Sequence, residues 1–586
     1  MAPRRSSLAG AGDPPGPAGV EREWQFDAVH LAPMQRWLGR LEGGPIHLVP
    51  GRTRSHVDVY YDTADLRIHR AGRTLRIRRT GRNAEATLKA RGGQDEGLRQ
   101  RAELTEALAV PDPTALIQSD GEVGRRVRDI AGRRPLRRLF EVRTHRQVYL
   151  LQLEGTQTGE VAMDRTVIGL DGVTEPARLR RVEVEVGDPS RPEIQGFVDR
   201  MRRECGLQPA GLSKYEAGFL ACGLEVPAPR DLGPTTVDPE GSVGALVFAV
   251  LRRHFADALA HEPGTRLGDD PEELHDMRVA VRRLRALMGI FSDVVPVRRV
   301  RLQDELRWLA GLLGAVRDLD VQIEQTRRWD AEREPGDFGA LGALVAILEQ
   351  RRVLARRELI EGLDSRRYDR LVEGFASLLR RGPLRRVPAS VAPALAAVPD
   401  VVRARYREVR EGGRSLEPGS PPPAFHKLRI RCKKLRYALE AVTDLYGQPA
   451  RDVIRRLVVL QDVLGEHQDA QVAIERLRTL ASTPDLALPP EAVFAMGEMA
   501  EWYAHHAVEL RRSFGKPFGR LPKRWKRLRT AMAARSHAAA ASRQVVPRVR
   551  LAPVPPPVVP EVSDGSSAAP VEPATIPAAE PPVPGS

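Results

Sequence analysis

Part of this chain is written twice, and that constrains its fold more than any other feature. His275-Asp-Met-Arg-Val-Ala-Val-Arg-Arg-Leu-Arg aligns with His426-Lys-Leu-Arg-Ile-Arg-Cys-Lys-Lys-Leu-Arg at an offset of 151 residues. The same offset relates Leu313, Gly314 and Asp318 to Leu464, Gly465 and Asp469, and Arg252 and Phe255 to Arg403 and Tyr406. One spacing held over so long a stretch implies a duplicated unit of several helices.

At about 100° per residue, His275, Arg278, Arg282 and Arg285 share one helix face, as do His426, Arg429, Lys433 and Arg436. Met277, Val281, Leu284 and Met288 take the opposite face of the first copy, and Leu428, Cys432, Leu435 and Leu439 that of the second. Cations at i, i+3 and i+4 repel one another, and no acidic residue lies between His426 and Tyr437. A bound polyanion would relieve that repulsion. Arginine forks grip phosphate oxygens bidentately, and lysine adds a compact point charge. Lysine is scarce in this arginine-rich sequence, yet Lys427, Lys433 and Lys434 all fall in the second copy.

The chain has 586 residues and a net charge of +15. Residues 20–222 hold 34 basic and 29 acidic residues, whereas 241–530 hold 51 and 39, so the repeated half carries most of the excess. Three cysteines without a CxxC pair make no disulfide framework. No apolar run approaches the roughly 18 residues of a membrane span, and residues 1–19 lack the apolar core of a signal peptide. The expectation is a cytoplasmic protein with a polyanionic partner and no membrane association.

Composition sets the boundaries: a disordered leader (1–19), a strand-rich domain (20–222), a Pro-rich linker (223–240), a helical domain (241–530) and a disordered Ala/Pro-rich tail (531–586). Within 20–222, runs such as Thr74-Leu-Arg-Ile-Arg-Arg and Arg181-Val-Glu-Val-Glu-Val alternate charged with apolar residues. Period-2 alternation puts the charges on one face of each strand. Such strands are either half-exposed to water or closed into a barrel with a charged lumen. A lumen of both signs suits phosphoryl chemistry, which needs mainly positioning and charge neutralisation.

The repeated helices resemble the CHAD family, the conserved-histidine α-helical domain, over about 241–530. The resemblance implies an all-α domain of two pseudo-twofold-related helical bundles that binds inorganic polyphosphate. Its candidate ligands are His275, Arg278, Arg282, Arg283, Arg285, His426, Lys427, Arg429, Lys433, Lys434 and Arg436.

Residues 20–222 resemble the CYTH family of triphosphate tunnel metalloenzymes. The matching pieces are Glu21-x-Glu23-x-Gln25-Phe26, Tyr60-Tyr61-Asp62-Thr63, Leu75-Arg76-Ile77-Arg78, Thr87-Leu88-Lys89, Arg101-x-Glu103, Asp164, Glu183-x-Glu185 and Ser213-Lys214-Tyr215. The resemblance implies an α+β domain, an eight-stranded antiparallel β-tunnel with flanking helices, that hydrolyses a triphosphate with Mg2+ or Mn2+. Glu21, Glu23, Asp164, Glu183 and Glu185 would hold metal. Arg76, Arg78, Lys89, Arg101, Glu103, Arg146 and Lys214 would surround the triphosphate, with Arg146 preferred over Arg143. Glu21, Glu23 and Gln25 form the opening catalytic motif, in which Gln25 replaces the family's lysine and removes a charge that would stabilise the transition state.

The expected function is hydrolysis of inorganic triphosphate by a tunnel tethered to polyphosphate, with association with polyphosphate granules. One alternative is a catalytically impaired sensing and anchoring protein. Another is a nucleic-acid binder, disfavoured because the basic stretches lack interleaved aromatics. Adenylyl cyclase and thiamine triphosphatase activities stay open within the tunnel family.

Overall fold

The computed structural model describes residues 19–41, 44–92, 97–169, 176–226, 231–295, 299–332 and 339–545. Ten strands come first: β1 (Gly19–Asp27), β2 (Ile46–Pro50), β3 (Arg54–Thr63), β4 (Arg73–Thr80), β5 (Asn83–Ala90), β6 (Leu98–Leu108), β7 (Leu136–Leu153), β8 (Thr156–Gly169), β9 (Ala177–Val186) and β10 (Gln208–Pro209). Eight of them close on themselves in the order β1-β6-β5-β4-β3-β7-β8-β9, with β9 returning to β1. All of these pairings are antiparallel. β2 and β10 extend the rim by pairing with β7 and β1.

Closure resolves the alternation seen in the sequence. The apolar residues face outward under helices, and the charged ones face a lumen. Val182, Val184 and Val186 of β9 are buried with Ile194, Phe197, Val198 and Met201 of helix Pro192–Cys205. Leu75 and Ile77 of β4 are buried with Val123, Val127 and Ile130 of helix Glu122–Ala131. The tight β7–β8 hairpin turns through Glu154 and Gly155, both at positive φ, the conformation that matches strand twist in a two-residue loop.

The helical half realises the duplication helix for helix. Helices Val243–Ala260 and Ala394–Arg414 begin 151 residues apart, as do Pro271–Ile290 and Pro422–Ala441. Arg299–Ala331, Gly342–Leu363 and Arg366–Arg381 recur in the same order as Gln448–Ala481, Pro490–Ser513 and Gly515–Val545. The repeats meet where Val243 N–H donates to Ala392 O at 2.8 Å and Ala394 N–H to Gly241 O at 3.0 Å. Each bond is the other displaced by 151 residues, the signature of a local twofold axis.

The two halves are docked by buried charge. Arg266, 1% exposed, donates to Asp129 O of the tunnel domain at 3.5 Å and is held within the helical half by Glu262 at 2.8 Å and Asp364 at 2.6 Å. Arg67 of the tunnel domain lies 3.5 Å from the same Glu262, and Arg73 and Arg126 both contact Asp269. The linker joins this packing, since Leu232 is buried and Arg252 donates to Pro234 O at 3.0 Å.

One boundary moves. The last helix runs on to Val545, so residues 531–545, placed with the disordered tail from their composition, are helical. Met532 and Ala539 are buried and Ser536 Oγ donates to Leu395 O, so alanine here is a helix former packed on a neighbour. Residues 1–18 of the leader and 546–586 of the tail lie outside the described residues.

Candidate functional site

The lumen is a cavity of about 1090 Å3 whose walls mix cations and carboxylates. It has three ionic clusters. In the first, Lys89 Nζ contacts Glu21 and lies 3.5 Å from Glu23 and 3.4 Å from Glu103. Arg101 Nη2 reaches Glu23 at 2.5 Å. Strand register builds this cluster, because β1 places Glu21 opposite Arg101 and β5 places Lys89 opposite Glu103.

In the second cluster, fully buried Asp164 receives Arg146 bidentately at 2.9 and 2.8 Å and Lys214 Nζ at 2.5 Å. Lys214 also reaches Glu183 at 2.9 Å, and Arg146 contacts the same carboxylate. Lys214 opens helix Lys214–Ala221, whose start is fixed by a Ser213–Glu216 capping box. Burial would raise the Glu183 pKa, but Lys214, Arg146 and Arg181 hold it well below the usual range. Arg143 points away, three-quarters exposed and paired with Glu141.

Sequence reading missed the third cluster. Asp58 is fully buried and takes Arg78 bidentately at 2.7 and 3.0 Å, with Arg76 at 3.7 Å. Burial works against its charge, yet Arg76 and Arg78 keep it well below the carboxylate range. His56 sits 3.8 Å from Asp58, and its pKa is lowered to about 3 by burial and then by Arg78. The available signal was the shared face of His56, Asp58 and Tyr60 just before the Tyr60-Tyr61-Asp62-Thr63 motif.

Two carboxylates have raised pKa values, Glu21 despite its contact with Lys89 and Glu185 without any ion pair among the described residues. Burial, then Glu23 and Glu103 against the opposing pull of Lys89, push Glu21 up to about 8. Enclosure by the tunnel, then Glu23, Glu160 and Glu103, push Glu185 up to about 7. Glu185 opens to the lumen and makes no hydrogen bond or ion pair among the described residues. Carboxylates crowded enough to resist ionisation are a hard-oxygen donor set that suits a divalent cation. As placed, no three described His, Cys, Asp or Glu side chains come close enough to hold a metal, because Lys89, Arg101, Arg146 and Lys214 stand among them.

Gln25 is 5% exposed. Its Nε2 donates to Glu23 Oε1 at 2.8 Å, and its own Oε1 is buried without a hydrogen-bond partner. It therefore holds Glu23 in place without contributing a charge.

In the helical half, the apolar stripes of Pro271–Ile290 and Pro422–Ala441 are buried. A pocket of about 500 Å3 lies between these helices, and its lining holds Arg282, Arg285, Lys433 and Lys434 with Arg307 and Arg405, and no carboxylate. Arg307 and Arg405 escaped the sequence reading because they come from helices outside the repeated motif. Burial, then Arg429 and Arg282, lower Lys433 to about 8. Arg278 lies 3.5 Å from Asp318 and, one repeat on, Arg429 lies 3.8 Å from Asp469. Arg283 and Arg436 turn instead to Glu440, at 3.2 and 3.5 Å, and do not line the pocket. Lys427 is exposed. The histidines differ: His426 Nδ1 lies 2.6 Å from Gln468 Oε1, whereas His275 Nδ1 is buried without a partner.

Comparison with known proteins divides the chain at the same place. Residues 48–216 match the CYTH domain and residues 249–478 the CHAD domain. An uncharacterized protein of Mycobacterium tuberculosis is 26% identical over 490 residues, covering 78% of this chain and 88% of its own. The CHAD domain of the plant Ricinus communis superposes with a TM-score of 0.43 at 27% identity, over 50% of this chain and 97% of its own. A Hippeastrum protein related to adenylyl cyclases, described as having a dominant triphosphatase activity, superposes with a TM-score of 0.28 at 22% identity, over 35% of this chain and 98% of its own.

Proposed function

We propose that this chain, a CYTH domain followed by a CHAD domain, hydrolyses inorganic triphosphate in its tunnel and binds inorganic polyphosphate on its helical half. What carries the reading is the closed barrel whose lumen gathers Arg76, Arg78, Lys89, Arg101, Arg146 and Lys214 beside Glu21, Glu23, Glu183 and Glu185. The cations would grip the phosphate oxygens and hold the terminal phosphorus in line for attack. Glu21, Glu23, Glu183, Glu185 and Asp164 would hold Mg2+ or Mn2+, which when bound supplies charge neutralisation and an activated water. Anion binding would draw Lys89 and Lys214 toward phosphate and free their carboxylates for metal. Closure of the barrel limits access of bulk water to the reacting phosphate.

Lys433, Lys434, Arg282 and Arg285 would seat polyphosphate between the repeats. Docking by Arg266, Arg73 and Arg126 would keep that chain at a fixed place relative to the tunnel.

Gln25 supports a second reading, a catalytically impaired sensor anchored on polyphosphate, because its neutral side chain leaves Glu23 without the motif cation. Phosphate release from triphosphate, ATP, thiamine triphosphate and polyphosphate with Mg2+ or Mn2+ separates the readings. Turnover of triphosphate above the others supports the first. No turnover by the wild-type chain, with recovery in Gln25→Lys, supports the second.

A further inference from the structure

The last helix, Gly515–Val545, carries a charge that the proposed function does not use. From Arg511 to Val545 the sequence has eleven Lys+Arg and no acidic residue. Three of the chain's eight lysines, Lys516, Lys523 and Lys526, fall here, outside both matched domains. Leu521, Trp525, Leu528 and Met532 bury one face of the helix. At about 100° per residue, Lys516, Arg520, Lys523 and Arg527 fall within an arc of roughly 60° on the side away from it, spread along about 16 Å. All four are exposed, and none makes an ion pair among the described residues.

Its counterpart in the first repeat shows that this is not the default. Helix Arg366–Arg381 has Asp369 and Glu373 among its arginines. There Arg367 pairs with Glu305 at 2.5 Å, Arg380 contacts Glu373, and Asp369 lies 3.6 Å from Arg133 of the tunnel domain. The same position in the repeat carries two carboxylates and several ion pairs in one copy and neither in the other among the described residues.

The bare helix also lies one helix away from the cationic pocket. It packs antiparallel on Ala394–Arg414, with the Phe518 ring against Gly413, Trp525 stacked on Tyr406 at 3.9 Å, and Ser536 bonded to Leu395 O. That intervening helix contributes Arg405 to the pocket. It also bears Arg407 and Arg414, exposed and without ion pairs among the described residues.

We propose that the solvent face of Gly515–Val545 is a second polyanion-contact surface, which takes the part of a long polyphosphate chain that extends beyond the pocket between the repeats. The proposal rests on the reading of the helical half as a polyphosphate binder. Polyphosphate fits better than nucleic acid because the exposed stripe carries no aromatic side chain on which a base could stack. It also fits better than a lipid surface, because the apolar face of the helix is already buried in protein. Two sites on one chain raise affinity only for a ligand long enough to reach both.

The test compares the full chain with a Lys516→Gln/Arg520→Gln/Lys523→Gln/Arg527→Gln variant, its helix content checked by circular dichroism. The probes are a short polyphosphate of about ten phosphates and a long one of about a hundred, titrated over a range of salt. The expected result is a loss of about tenfold or more in long-chain affinity, with a salt slope shallower by roughly 3 to 4, while the short chain is unaffected. Arg520→Lys/Arg527→Lys, which keeps the charge, should retain long-chain affinity. Unchanged long-chain affinity overturns the proposal, as does an equal loss for both chains. Loss of duplex DNA binding with polyphosphate unaffected would reassign the surface to nucleic acid. If the wild-type chain binds neither polyphosphate, it is the parent reading that has failed.

Discussion

In the tunnel, Arg78 is held by Asp58 at 2.7 Å and Lys214 by Asp164 at 2.5 Å. In the pocket between the repeats, Arg282, Arg285, Lys433 and Lys434 share a lining without a carboxylate. Both regions are rich in cations, but the tunnel pairs its cations inside the lumen, whereas in the pocket Arg307 and Arg405 alone are paired among the described residues, to Asp304 and Glu408 outside the lining. A bare anion entering the tunnel must displace carboxylates from desolvated pairs, and those carboxylates then need a new partner. On the proposed reading, a divalent cation bound with the phosphate would provide one. A bare anion reaching Arg282, Arg285, Lys433 and Lys434 in the pocket displaces mainly water and salt ions, so its binding should be direct and steeply salt-dependent. On the proposed reading, this difference puts metal-dependent chemistry in one half and metal-independent tethering in the other.

The largest expected effect comes from breaking the matching in the tunnel. Asp58→Ala leaves Arg76 and Arg78 without their buried partner and should cost about 3–5 kcal/mol, read as a lower melting transition of the tunnel domain with polyphosphate binding retained. If the transition does not move, the cluster is not what holds those arginines. Glu185→Gln removes a lumen carboxylate that makes no ion pair among the described residues. It should leave stability unchanged while phosphate release falls by about a hundredfold, the scale of one lost transition-state interaction; retained turnover would place the metal elsewhere.

Breaking the pocket is the converse experiment. Lys433→Gln/Lys434→Gln should weaken polyphosphate binding by at least about tenfold and flatten its salt slope by about 2, with triphosphate turnover untouched. Gln25→Lys should raise turnover by up to about tenfold by restoring a charge beside Glu23. An unchanged rate would mean that Lys89 and Arg101 already supply that field.

The smallest effect is in pH. The Lys433 pKa is lowered to about 8 by burial and by Arg429 and Arg282, so its charge is present below that value and lost as pH rises through it. Polyphosphate affinity, measured calorimetrically, should decline by several-fold from pH 7 to pH 9, and Lys433→Arg should flatten the decline.

Much of the fold was legible because periodicity reports it directly. The alternation in Thr74-Leu-Arg-Ile-Arg-Arg and Arg181-Val-Glu-Val-Glu-Val marks β4 and β9, and the 151-residue offset gives the paired helices. Alternation alone left open whether the charged face met bulk water or a lumen, because closure depends on β9 pairing with β1, far away in the sequence. For the same reason Lys214 and Arg146 could be named, but not their convergence on Asp164. Asp58 and His56 were missed because a carboxylate and a histidine on one strand carry no signal until a neighbouring strand brings Arg76 and Arg78 beside them. The reach of the last helix to Val545 was hidden by alanine-rich composition, which reads as low complexity until Ser536 and Met532 are seen packed on the first helix of the second repeat.

The most direct test of the division of labour is one titration series on the full-length chain with and without EDTA. Phosphate release from triphosphate and binding of polyphosphate are followed in the same samples. The expected result is that EDTA abolishes phosphate release, that Mg2+ or Mn2+ restores it, and that polyphosphate binding persists throughout. Release that survives EDTA, or polyphosphate binding that is lost with the metal, would contradict the assignment of metal chemistry to the charge-matched tunnel and bare anion binding to the unmatched pocket.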